Sequence, residues 1–271
     1  MNSPNMTRRV PGALHQPNRV TRAGSEGEGS MSEAKVMVRA GDPDGKWLYR
    51  VGGISALLLG IAYIIIIALY IPVGAPPTGA DARLTYLAGN TTLWWAILGL
   101  SVLTDFLFVP VALSLYLVLK GLDRDKMLVA TAFVGLFVVL DLAVTWPNYA
   151  SLITLSGDYA AATNDAQRAV FVAAASYPTS VVESTLFGVY AIVVLAVGIL
   201  ITGLVMLKGI FSKTTAYLGL ATGVLGIVSV VGSFFVSALG LTVIIASVLT
   251  TLWVLFAGYR LYRLGQPGFS A

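Results

Sequence analysis

The sequence contains no cysteine and a single histidine, His15. Without cysteine there is no disulfide, no thiolate nucleophile, no CxxC redox pair and no iron–sulfur ligation. With its one histidine in a polar leader, Ser-His catalysis and His-based metal or haem sites are excluded from the apolar part of the chain. Charge is also scarce, at 11% of 271 residues. A soluble domain carries about 25%, so there are too few charges here to solvate a globular surface. The last apolar runs hold no internal lysine, which excludes a retinal Schiff base there.

What fills the chain is apolar: 57% of residues are hydrophobic. About 20 apolar residues suffice to cross a bilayer core roughly 30 Å thick. Six runs meet that length, at 47–71, 92–119, 127–146, 177–207, 214–237 and 240–262. They are continuous, whereas a membrane β-strand alternates over about ten residues. The expected fold is an all-α polytopic transmembrane bundle of six spans, occupying 47–264. Residues 1–46 form a basic leader read as disordered, with Met31 as an alternative start, and 265–271 form a tail. The first span is too long for the apolar stretch of a signal peptide.

Fifteen of the 17 Lys and Arg residues fall on one side of this arrangement. They lie in the leader and at Arg50, in the loops Lys120 to Lys126 and Lys208 to Lys213, and at Arg260 and Arg263. Only Arg83 and Arg168 fall on the other side. The positive-inside rule then predicts both termini in the cytoplasm of a multi-pass plasma-membrane protein. These bases read as headgroup anchors, not as a nucleic-acid surface.

The short basic loops predict antiparallel hairpins. The opposite connections carry helical patterns of their own, at Ala80 to Ala88 and Asp165 to Tyr177, the second capped by Thr163 or Asn164. Val231 to Gly240 must supply a tight turn. Asn90-Thr91-Thr92 is a glycosylation sequon pressed against a span. Aromatic residues, Trp47, Tyr70, Trp94, Trp95, Trp146, Tyr149 and Tyr177 among them, fit interfacial belts. Leu119-Lys120-Gly121-Leu122 echoes Leu207-Lys208-Gly209-Ile210, with Gly135 and Gly223 at matching offsets. Gly52, Gly53 and Gly60 in span one, and Gly219, Gly223 and Gly226 in span five, predict close helix packing within the bundle.

Three acids lie inside the apolar runs: Asp105, Asp141 and Glu183. Each costs about 2.5–3.5 kcal/mol near a bilayer centre. No Lys or Arg shares their spans' cores, so they are expected to be protonated, hydrogen-bonded or bound to a cation. Each has hydroxyl company at helical spacing: Ser101 and Thr104 for Asp105, Thr145 for Asp141, Thr179, Ser180 and Ser184 for Glu183. Depth along the helices, at about 1.5 Å per residue, puts Asp141 and Glu183 at a similar level, where they could approach each other, with Asp105 deeper. Pro110 and Pro178 each lie five residues from an acid. Proline frees a carbonyl one turn back, and freed carbonyls beside carboxylates hold ions in carriers with interrupted helices.

The segments YRVGGISALLLGIAY, LSVLTDFLFVPVALSLYLVLKGLDR and YRLYRLG resemble an uncharacterised prokaryotic family of six-span integral membrane proteins, a domain of unknown function. The resemblance covers about 47–264. It implies a membrane bundle with no established activity, and it transfers no catalytic residues.

Three functions compete. A proton- or cation-linked carrier would use Asp105, Asp141 and Glu183 with Ser101, Thr104, Thr145, Thr179 and Ser180, its partners being the lipid bilayer, a proton or monovalent cation and a second copy of the chain. A structural, sensory or assembly subunit would account for the lack of motifs and the short loops. An intramembrane enzyme would need Asp141 and Glu183 to share a proton and activate water, with no nucleophile–base pair to help. The carrier is the preferred expectation; no enzyme activity, cofactor, metal or nucleic-acid partner is expected.

Overall fold

The computed structural model describes residues 45–267. Residues 1–44 of the basic leader, the start at Met31 among them, and the end of the tail lie outside the described residues, while Lys46, at the leader's end, already begins the first helix. Among the described residues the fold is all-helical. Six helices are long and apolar enough to cross a membrane: Lys46–Val73, Thr91–Leu119, Arg124–Ala161, Thr185–Met206, Lys213–Phe234 and Ser237–Leu264. They are called spans one to six below.

The element order is α1 (Lys46–Val73), α2 (Ala80–Ala88), α3 (Thr91–Leu119), α4 (Arg124–Leu140), a π-helical turn (Asp141–Thr145) and α5 (Trp146–Ala161). Then come α6 (Asp165–Glu183), α7 (Thr185–Gly188), a second π turn (Val189–Val193), α8 (Val194–Met206), α9 (Lys213–Val231) and α10 (Thr242–Leu264). Two 3-10 turns, Gly232–Phe234 and Ser237–Leu241, make the tight connection expected between the last two spans.

Local chemistry sets the helix starts. Asp123, Asn164 and Ser212 each accept a hydrogen bond from the backbone N–H three residues on, relieving one of the donors a helix start leaves open. Asn164, not Thr163, caps α6. Glycines set the packing. A methyl group on Gly223 would stand 2.7 Å from the Ala196 carbonyl oxygen, and one on Gly226 would stand 2.8 Å from the Ala196 side chain. Helices α8 and α9 therefore touch backbone to backbone, as small-residue faces allow in lipid. Gly53 does the same for spans one and six, lying against the backbone of Tyr262. Gly135 has open space where its methyl would be, so the echo of Gly135 in Gly223 carries no shared contact.

Span three departs from the expected end at Trp146. It runs unbroken through Pro147 to Ala161, 38 residues in all, or roughly 57 Å at 1.5 Å per residue. That is nearly twice the hydrocarbon thickness. Proline lacks an N–H, and its ring presses on the carbonyl four residues back. The π turn immediately before Pro147 widens the helix there, and the helix continues. Pro110 and Pro178 likewise stay inside continuous helices, so neither interrupts its helix as expected.

Span four also starts later than expected. Helix α6 continues through Tyr177 to Glu183, and the break falls at Ser184, in extended conformation at φ −68° and ψ 147°. The Ser184 hydroxyl accepts from Phe187 N and donates to Val181 O, closing one helix and opening the next.

The bundle has two apolar cores. One is centred on Leu59, Phe108, Leu115, Leu119, Met127, Val254 and Leu261. The other joins Leu84 and Leu87 of α2 to Leu152 and Ile153 of α5, Ala175 and Val182 of α6, and Trp94 of α3. It is the core of a cap in which α2 packs on α5 and α6. Trp94, expected in an interfacial belt, is only 1% exposed and stacks on Tyr149 at 5.5 Å. The loops on either side of Asp123 and Lys208 meet at the other end. There Asp123 pairs with Lys126 at 2.7 Å and Lys208 at 2.9 Å, and Arg260 donates to Ile210 O. The basic residues of both loops, of the start of α1 and of the end of α10 thus gather at one end of the bundle.

Candidate functional site

All six spans line one cavity of about 320 Å³. Span one contributes Tyr63 and Tyr70, span two Ser101, Thr104 and Asp105, and span three Phe137, Asp141 and Trp146. Spans four, five and six add Ala191, Thr222, Ser247, Thr250 and Thr251. None of the lining residues is basic.

Asp105 and Asp141 both open into this space, and both are buried, at 2% and 5% exposure. They differ in their partners. Asp105 Oδ2 accepts a 2.6 Å hydrogen bond from the Trp146 indole N–H. Asp141 Oδ1 is buried with no hydrogen-bond partner. Two carboxylates lining one cavity repel when both are ionised, so a proton or a cation held there lowers the energy of the pair.

The expected hydroxyls divide. Ser101 and Thr104 line the cavity, and Thr104 donates to the Ser101 carbonyl at 2.7 Å. Thr145 stands on the π turn beside Asp141, buried and without a completed hydrogen bond, as is the nearby Tyr190 hydroxyl. Thr222 brings a further unpartnered buried hydroxyl from span five. Both π turns therefore sit at the cavity. The first carries Asp141 and Thr145. The second carries Tyr190 and Ala191. A π turn inserted in an α-helix recurs at functional sites, because the extra residue turns side chains away from the helix's regular faces.

Glu183 is elsewhere, which corrects its expected approach to Asp141. It ends α6 in the cap, where its Oε1 accepts from Arg83 Nη2 at 2.9 Å and from the Gly79 N–H at 2.9 Å. The Arg83 side chain is 6% exposed, so a base does neutralise this acid, from a helix read as an outer connection. Thr179 and Ser180 go with Glu183. Thr179 is buried in α6 without a partner, and Ser180 is exposed and bonds back to Tyr177 O. The site reduces to Asp105, Asp141, Ser101, Thr104 and Thr145 among the expected residues. It gains Tyr63, Trp146, Tyr190 and Thr222.

The signal for the added residues was present but shared with blander roles. A tyrosine deep in an apolar run has a hydroxyl that must find a partner, which singles out Tyr63 and Tyr190. Trp146 fits a belt as well as a site until its neighbour across the bundle is known.

Among the described residues no three His, Cys, Asp or Glu side chains gather as metal ligands. The two carboxyls and the surrounding hydroxyls suit a single positive charge or a shared proton. No family model, curated protein or solved structure matches the chain, so no activity or residue role comes to this cavity from a relative.

Proposed function

We propose that this protein is a proton- or cation-linked carrier that handles its cargo in the cavity between the six spans. The observation that supports the reading is the pair Asp105 and Asp141, on different spans, in one cavity without a basic lining residue. Ionisable groups at such depth default to ion or proton pathways. Asp141 exchanges the proton or cation, because its Oδ1 is buried without a hydrogen-bond partner. Asp105, tied to Trp146, sets the local charge. Glu183 has no part in the exchange. The basic end of the bundle faces the cytoplasm on the positive-inside rule, with both termini on the cytoplasmic side of the plasma membrane. Membership of the six-span family read in the sequence belongs to this proposal too.

The test is thermal unfolding of the detergent-purified protein across pH and across Li⁺, Na⁺ and K⁺. The wild type is expected to be stabilised saturably by a proton or one of these ions. Asp141→Asn abolishes the response, and Glu183→Gln keeps it. A flat response in the wild type would reject the carrier and favour a structural or assembly subunit.

A further inference from the structure

A proton or a bare metal ion does not account for the size or the walls of the cavity. Its volume of about 320 Å³ is some ten times the share of one water, about 30 Å³, and reaches the range of sites for small organic molecules, about 300–1,000 Å³. Four of its walls are aromatic: Tyr63, Tyr70, Phe137 and Trp146. Rings of this kind attract an organic cation through their faces, most strongly where water is excluded. The unpartnered Asp141 oxygen supplies the opposite charge.

The cavity also has a side opening. Ile67, Tyr70 and Ser247 line it and are themselves exposed, the first two at 39% and 38%. They lie on spans one and six, next to the exposed apolar residues Ile71 and Ile244. That surface would face lipid in a bilayer. A ligand entering there has to be soluble in the membrane as well as charged.

We infer that the cavity binds a lipophilic organic monocation, a quaternary ammonium or phosphonium bearing aromatic or alkyl groups, which enters between spans one and six and places its charge on Asp141. The inference rests on the carrier reading of the same cavity and gives that reading its substrate class. A neutral lipid would leave the Asp141 carboxyl unpaired. A small inorganic ion would leave the aromatic walls unused.

Tetraphenylphosphonium titrated onto the full chain in lipid nanodiscs tests this, read by quenching of tryptophan fluorescence. Saturable binding is expected, at least tenfold weaker in Asp141→Asn and not competed by the neutral triphenylphosphine oxide. Ser247→Trp, which fills the side opening and leaves both acids in place, is expected to slow or block binding, and it serves should Asp141→Asn fail to fold. Absence of saturable binding, or binding equal in Asp141→Asn and competed by the neutral analogue, overturns the inference. The carrier reading is judged separately. Stabilisation by protons or Na⁺ at Asp141 without tetraphenylphosphonium binding defeats the substrate class alone. Binding at Asp141 without phosphonium or proton flux in proteoliposomes upholds the ligand and defeats the carrier.

Discussion

At the scale of single residues, the asymmetry between the two acids is the most informative feature. The Trp146 N–H occupies one oxygen of Asp105 at 2.6 Å, while Asp141 keeps a buried oxygen without a partner. A hydrogen bond to a charged group contributes about 1.5–3 kcal/mol, against about 1 kcal/mol for a neutral pair. Trp146→Phe is therefore expected to destabilise the protein by about 1–3 kcal/mol. It should cost clearly less in an Asp105→Leu background, where the acceptor is gone. A double-mutant cycle of unfolding free energies measures the difference, and additivity of the two changes would mean that the bond contributes nothing. Asp105 and Asp141 were legible in the sequence because an acid in an apolar run is costly wherever the run folds. Glu183 was misplaced because hydropathy does not report a break. Nothing in the apolar run from Tyr177 to Leu207 marks Ser184 as a helix start rather than one more hydroxyl in a span. Arg83 was counted in the sequence only as a base of the outer side; its pairing with Glu183 shows once the helix carrying it is seen to pack against α6.

At the scale of elements, small residues decide which helices approach. Gly223 admits the Ala196 carbonyl and the Leu200 side chain; Gly135, though it sits at a matching offset in the sequence, meets nothing. The two should respond oppositely to the same change. Gly223→Ala forces α8 and α9 apart and is expected to cost about 1–3 kcal/mol, as overpacking does. Gly135→Ala gains up to about 1 kcal/mol, because alanine loses less backbone entropy in a helix than glycine. Unfolding of both variants in mixed micelles compares them directly, and equal effects would remove the contact argument. The long helices and their short basic connections were readable from length and composition, since six apolar runs of that length have few other uses. The two π turns were not. Pro147 was visible, but whether a proline ends a helix, kinks it or is absorbed by a widened turn depends on the packing around it. Here α2 and α6 hold α5 as the continuation of span three.

At the scale of the whole molecule, two forces bear on the basic end: ion pairing across its loops and the membrane's preference for which side that end faces. The hydrogen bond from Lys126, and then that from Lys208, hold the Asp123 carboxyl well below the ordinary carboxylate range. A lowered folded value means that the stabilisation is present above the unfolded value of about 3.9 and is lost as pH falls through the folded one. The melting temperature of wild type should thus exceed that of Asp123→Asn at neutral pH, with the gap closing below about pH 4 and in high salt. A gap unchanged by acid would mean that the pair does not form. Sidedness has its own test, made simple by the lack of cysteine. Ser212 caps α9 at the basic end, and Thr163 lies in the cap beside Gln167. In intact cells, Thr163→Cys should react with a membrane-impermeant maleimide, and Ser212→Cys should react only after permeabilisation. The reverse pattern would put the cap in the cytoplasm and invert the topology drawn from loop charge. The cavity would survive such an inversion, because its acids are held by contacts among the spans. Only the direction in which it delivers a cargo would change.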